Sequence, residues 1–211
     1  MKKSLPLLGF SLGLAAALFA LTFRGPRKKF WDRMTGTGIT LGSLALTTQP
    51  ELRHTRIGLK EIILGLGSAA ALYGIFQIGD KISRKIVPNG GQQIDSIYAL
   101  KRLRPRKELV LRLGLVVGPS EEIFWHGFLQ DGLMKKFGKF WGWVMSTAAY
   151  STVHTASGNF TLIGAATIAG GFWGALYALG VPLGALIVSH IAWDNIIFLI
   201  APTTKLEEEM K

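Results

Sequence analysis

The sequence contains no cysteine. That absence excludes a disulfide framework, a thiol nucleophile, a cysteine-ligated metal and lipidation on sulfur. Charge is scarce as well, 18% of 211 residues against 49% hydrophobic, a balance poor for a soluble surface. From Phe140 through Trp193, 54 residues pass without one Asp, Glu, Lys or Arg. At about 1.5 Å per helical residue such a run exceeds twice the roughly 30 Å of a bilayer's hydrocarbon core. The solvent this composition suits is lipid.

What charge there is carries mostly one sign. The net charge of +11 gathers in connections, at Arg24 to Arg33, Arg53 to Lys60, Lys81 to Lys85 and Lys101 to Lys107, as expected for loops meeting anionic lipid headgroups. A pI near 10.1 also suits nucleic-acid binding, but no helix-turn-helix, zinc or aromatic-basic module accompanies it, so no nucleic-acid partner is expected.

Along the chain, the apolar run Leu5 to Phe23 ends in a basic cluster from Arg24 and reads as an uncleaved first span. Residues 34–50, rich in Gly and Thr, read as a loop or a shallow interfacial segment. A second span covers Leu59 to Ile78, and Pro88, Asn89, Gly90 and Gly91 form the strongest turn signal in the sequence. Four further apolar segments follow, from Leu109 to Lys135, Lys139 to Thr155, Phe160 to Leu179, and beyond Pro182 to Pro202. Gly118, Pro119 and Ser120 resemble a helix start with Ser120 as cap. The expected fold class is an all-α membrane protein, a polytopic bundle of about six spans in the cell membrane with a polar site between its C-terminal helices. Residues 1–105 would supply anchor spans and basic loops, residues 106–203 the catalytic core and residues 204–211 an acidic tail.

The polar residues within the apolar C-terminal half are few: Arg112, Glu121, Glu122, His126, Asp131, His154, His190, Asp194 and Asn195. Each is costly in lipid unless it faces the bundle interior and finds a partner. Three of the four histidines stand four residues from a candidate partner, as Glu122 and His126, Tyr150 and His154, and His190 and Asp194. Residues i and i+4 share a helix face, so three helices can aim these pairs at one pocket. A carboxylate with a neutral imidazole can take a proton from water, and a second histidine can donate to the oxyanion that forms. Trp125, Trp141, Trp143 and Trp193 read as packing or interfacial residues, Gly170, Gly171 and Gly174 as points of close helix approach, and Arg112 as either paired or snorkelling.

Glu121 to Gly127, Tyr150 to His154 and His190 to Asp194 together resemble the three motifs of the CAAX-protease and bacteriocin-processing (CPBP) family, in order and on successive spans. The resemblance covers about residues 108–201. It implies an α-helical intramembrane endopeptidase acting on membrane-bound peptide or protein substrates, in which Glu121 and His154 activate water, His190 and Asp194 stabilise or orient the oxyanion, and Glu122 supports the site from behind. His126 stands where the family has Arg, and Tyr150 where it has Phe; both would act as supporting residues. Arg is always charged and His only sometimes, so His126 must be protonated to neutralise Glu122. No cofactor is favoured. Were zinc bound, Glu121, His154 and His190 would be its two-histidine, one-carboxylate ligand set. Two other readings stay open: a proton-coupled transporter, which would call for inverted repeats, and a non-catalytic membrane partner or immunity protein retaining the fold.

Overall fold

The computed structural model describes residues 4–203, so the acidic tail and the lysines before Ser4 lie outside it. Eight helices account for the architecture, and no strand occurs among the described residues. They are α1 (Leu5–Arg24), α2 (Phe30–Thr48), α3 (Leu59–Ile86), α4 (Gly90–Tyr98), α5 (residues 106–137), α6 (Lys139–His154), α7 (Phe160–Ala178) and α8 (Leu183–Ile200). Four of them, α1, α3, α7 and α8, are long and apolar enough to cross a membrane. Each of the six segments read as spans falls on a helix. Two of those, in α5 and α6, do not join the four, because α5 carries the charged residues and α6 has only 16 residues.

Helix starts follow from local chemistry. Ser4 Oγ accepts the Leu7 N–H at 3.3 Å to cap α1, and Asn159 Oδ1 accepts the Leu162 N–H at 2.8 Å to cap α7, each satisfying a donor that the first turn leaves without a partner.

Residues 34–50 are not a loop. They form most of α2, whose buried face includes Trp31, Met34, Thr37, Leu41 and Ala45. The small residues that suggested a loop serve a close helix contact. A Cβ on Gly38 would lie 2.5 Å from Ser120 Oγ, and one on Gly42 would lie 3.0 Å from Ser120 Cβ. Small residues let helix backbones approach in the way common to membrane interfaces, and here they seat α2 directly beside the acidic pair of α5.

Nor does a helix begin at Ser120. The chain runs helically from Arg106 to Phe137, with π-helical stretches at Leu113–Val117 and Glu122–Gln130. Pro119 has no N–H and its ring conflicts with the preceding turn of an α-helix. The π-turn before it, closed by the Gly118 N–H on the Leu113 carbonyl, loosens that turn and lets the helix pass through the proline. Ser120 Oγ donates back to the Val116 carbonyl at 2.6 Å instead of capping a new start.

At one end of α5, Arg112 pairs with carboxylates and does not snorkel. Its guanidinium reaches Glu108 at 2.7 Å and Asp32 of α2 at 2.9 Å, and Arg104 holds the other oxygen of Asp32 at 2.8 Å.

Candidate active site

Glu121 and Glu122 occupy the centre of α5 and are 7% and 1% exposed. Neither is a solvated cap. Consecutive residues on a helix point in different directions, so the two acids meet different partners.

Glu121 looks toward α6, where the Tyr150 hydroxyl donates to its Oε2 at 2.6 Å. Four residues on, His154 Nδ1 lies 2.8 Å from the Tyr150 carbonyl. A carbonyl only accepts, so Nδ1 carries a proton, and a neutral ring in this tautomer has its lone pair on Nε2. The ring rests edge-on against Tyr150 and Phe19, with centroids 4.5 and 5.1 Å away. Tyr150 is itself wedged between Trp125, at 5.1 Å, and the α7 backbone at Gly170, where an added Cβ would stand 2.7 Å from the tyrosine ring.

Glu122 looks toward α8. Its Oε1 is 2.7 Å from His190 Nδ1, while His190 Nε2 faces Asp194 Oδ2 at 3.6 Å. The imidazole thus lies between two carboxylates. One face of it stacks on Trp173 of α7, with centroids 4.2 Å apart and planes 20° from parallel, and the indole N–H is anchored on Ser189 Oγ at 2.9 Å. The other oxygen of Glu122 is 3.7 Å from His126 Nε2 and has no hydrogen-bond partner.

Of the seven residues singled out from sequence, five line a single cavity of about 490 Å³: Glu121, Tyr150, His154, His190 and Asp194. Glu122 and His126 stand behind that wall. The cavity is otherwise bounded mainly by apolar side chains from α2, α3, α4, α7 and α8, Met34, Ile75, Ile94, Ala169, Trp173 and Phe198 among them. Tyr98 of α4 also lines it; its hydroxyl pairs with Thr203 Oγ1 at 3.1 Å and burial pushes the phenol above its ordinary range.

Sequence spacing missed three participants. Gln130, fully buried, continues the row of Glu122 and His126 by one more step of four and was visible in that sense. Trp173 and Ser189 gave no signal, since nothing in a sequence says which aromatic ring will face which histidine.

The zinc ligand set fares less well. Glu121, His154 and His190 line one cavity, but among the described residues no three His, Asp or Glu side chains converge as metal ligands do. The residues as placed do not fit a zinc ion.

The fold and site together define a class: an all-α membrane bundle with a buried carboxylate–histidine cluster opening on an apolar cavity. Residues 108–196 match the family model described as type II CAAX prenyl endopeptidase Rce1-like, so the resemblance drawn from the three motifs holds over this segment, and the match supports a CAAX-type membrane protease at the level of the family. No curated protein and no solved structure matches the chain.

Proposed function

We propose that the chain is an intramembrane endopeptidase that hydrolyses peptide bonds of membrane-associated proteins or peptides in the cell membrane, with residues 106–203 as its catalytic core. One observation carries this reading: Glu121, Tyr150, His154, His190 and Asp194 come from three helices and line one apolar cavity. Ionisable groups so costly in lipid are retained where chemistry or transport uses them.

In this mechanism a water between Glu121 and His154 is the nucleophile. Glu121 accepts its proton, with Tyr150 holding the carboxylate in place, and His154 Nε2 accepts the second hydrogen bond. Attack on the substrate carbonyl creates an oxyanion, which needs a donor. His190 supplies it through Nε2–H while Nδ1–H stays on Glu122, so the ring carries both protons and its charge is neutralised by Glu122 and Asp194. Asp194 acts by orienting that ring, because an ionised carboxylate cannot itself donate. The proton held by Glu121 then passes to the leaving amine. No metal step enters.

The apolar cavity supports a substrate reached from the lipid phase, and the same lining would accept a prenyl group or an apolar peptide segment. Purified protein in lipid, offered a peptide library beside the Glu121→Ala variant, tests the reading. Cleavage by the wild type alone is the expected result. Equal cleavage by both would remove Glu121 from the mechanism, and no cleavage by either would favour a non-catalytic membrane partner.

A further inference from the structure

Glu122, His126 and Gln130 form a row at four-residue spacing along the π-helical stretch of α5, and the mechanism above uses only the first. Gln130 reaches across to α7, where its Nε2 donates to the Gly174 carbonyl at 2.7 Å. Its Oε1 lies 2.7 Å from His126 Nδ1. A backbone carbonyl accepts and never donates, so the end of the amide against Gly174 is the nitrogen. The other end is the amide oxygen, which also only accepts, and the hydrogen in the contact with His126 therefore sits on Nδ1. Turning the amide over would set oxygen against oxygen at Gly174.

With Nδ1 committed, the ring has one nitrogen left. Nε2 faces Glu122 Oε2 at 3.7 Å, the oxygen that is buried without a hydrogen-bond partner. A neutral ring would turn a lone pair toward a carboxylate. A proton on Nε2 removes that conflict and sets a cationic ring against the buried oxygen.

We infer that Gln130 is a positioning residue that fixes one His126 proton on Nδ1, so that Nε2 is the nitrogen left to carry a charge-compensating proton toward Glu122 Oε2 while Glu122 meets His190 with its other oxygen. The consequence for the reaction rests on the endopeptidase reading: Glu121, the neighbour of Glu122, then bears no uncompensated like charge beside it when it acts as base. Other ionisable groups around the pair are Asp131 on the same helix, held by Lys135 at 2.8 Å, Tyr177 of α7, whose ring centroid is 6.4 Å from that of His126, Tyr150 of α6, bonded to Glu121, and His190 with Asp194 of α8. None of these contacts engages His126 Nδ1, so the task falls to Gln130.

The test separates the proton from the reaction. Protein carrying 15N-histidine has four imidazoles to resolve, and His126 is assigned by the signals lost in His126→Arg. Long-range 1H–15N spectra of the folded wild type in micelles should show Nδ1 protonated at every pH at which the protein stays folded. In Gln130→Met, which keeps the volume and removes the acceptor, Nδ1 should lose its proton at alkaline pH in favour of Nε2. An unprotonated Nδ1 in the wild type overturns the inference even if the variant fails to fold, and so does a His126 spectrum that Gln130→Met leaves unchanged. Turnover is read separately, on a library peptide that the wild type cleaves. Gln130→Met should lower it by roughly tenfold or more, as displacement of a supporting group does, and His126→Arg in the same background should restore it, because a guanidinium keeps its charge without the amide. Wild-type turnover by Gln130→Met would overturn the positioning role. A wild type that cleaves nothing would sink the endopeptidase reading and leave the tautomer result standing.

Discussion

Tyr150 joins two residues of the proposed site, its hydroxyl holding Glu121 and its carbonyl setting the His154 tautomer. Only the first of these depends on its being tyrosine. Tyr150→Phe keeps the ring against Trp125 and His154 and removes a hydrogen bond to a carboxylate, an interaction worth about 1.5–3 kcal/mol. Turnover should therefore fall by about ten- to a hundredfold with KM little changed and the protein still folded; an unaltered rate would make the hydroxyl a bystander. In the proposed mechanism Glu121, His154 and His190 act on one water and one oxyanion, so removing any one would disable the unit. Alanine at each position alone should abolish cleavage, and the triple variant should lose little more. Near-normal turnover by Glu121→Ala would end the mechanism. At this scale the sequence was readable for neighbours on one helix, since i, i+4 spacing placed Tyr150 with His154 and His190 with Asp194. It was silent on neighbours between helices. The closest partner of Glu122 is His190 at 2.7 Å, across the bundle, and not His126, its helical neighbour at 3.7 Å.

Among the helices, the contact of α6 with α7 sets how far Tyr150 can move. Gly170 and Gly171 are adjacent on α7, yet they meet α6 differently. A Cβ at Gly170 would stand 2.7 Å from Tyr150 Cδ1, whereas one at Gly171 would stand 3.5 Å from Thr147 Cγ2, an ordinary contact. Gly170→Ala must displace the ring that holds Glu121. It should lower turnover and cost about 1–3 kcal/mol of stability, the usual range for overpacking, while Gly171→Ala should be close to neutral in both assays. Matching losses for the two variants would show that helix flexibility, and not the Tyr150 contact, is what glycine supplies there. Element boundaries explain where sequence reading stopped. Residues 34–50 looked like a loop because Gly and Thr weaken an isolated helix, and tertiary packing of Gly38 and Gly42 against Ser120 overrode that preference. Ser120 looked like a cap because nothing local announces that a π-turn will carry the helix through Pro119.

For the whole molecule, hydropathy made the all-α membrane bundle legible, and three motifs in order marked the C-terminal helices that hold the buried carboxylates and histidines. The spacing of those motifs also let three helices aim at one pocket, whereas the apolar cavity on which α5, α6 and α8 meet required the structure. That convergence also bears on metal dependence, because a zinc ion would need Glu121 from α5, His154 from α6 and His190 from α8 as simultaneous ligands. Zinc takes imidazole nitrogen at about 2.0–2.1 Å and carboxylate oxygen at about 2.0–2.2 Å, so each ligand must turn a free lone pair to a single point. The His190 nitrogen Nδ1 is bonded to Glu122, leaving only Nε2, which already faces Asp194, and Glu121 gives one oxygen to Tyr150. Recruiting all three would mean turning His190 Nε2 away from Asp194 and bringing together side chains that do not converge as placed. The expected outcome is therefore that prolonged treatment with EDTA or a zinc-selective chelator leaves turnover unchanged, and that added zinc does not raise it. Turnover lost to the chelator and restored by zinc, with Glu121→Ala inactive under both conditions, would replace the water-activating roles of Glu121 and His154 with ligation.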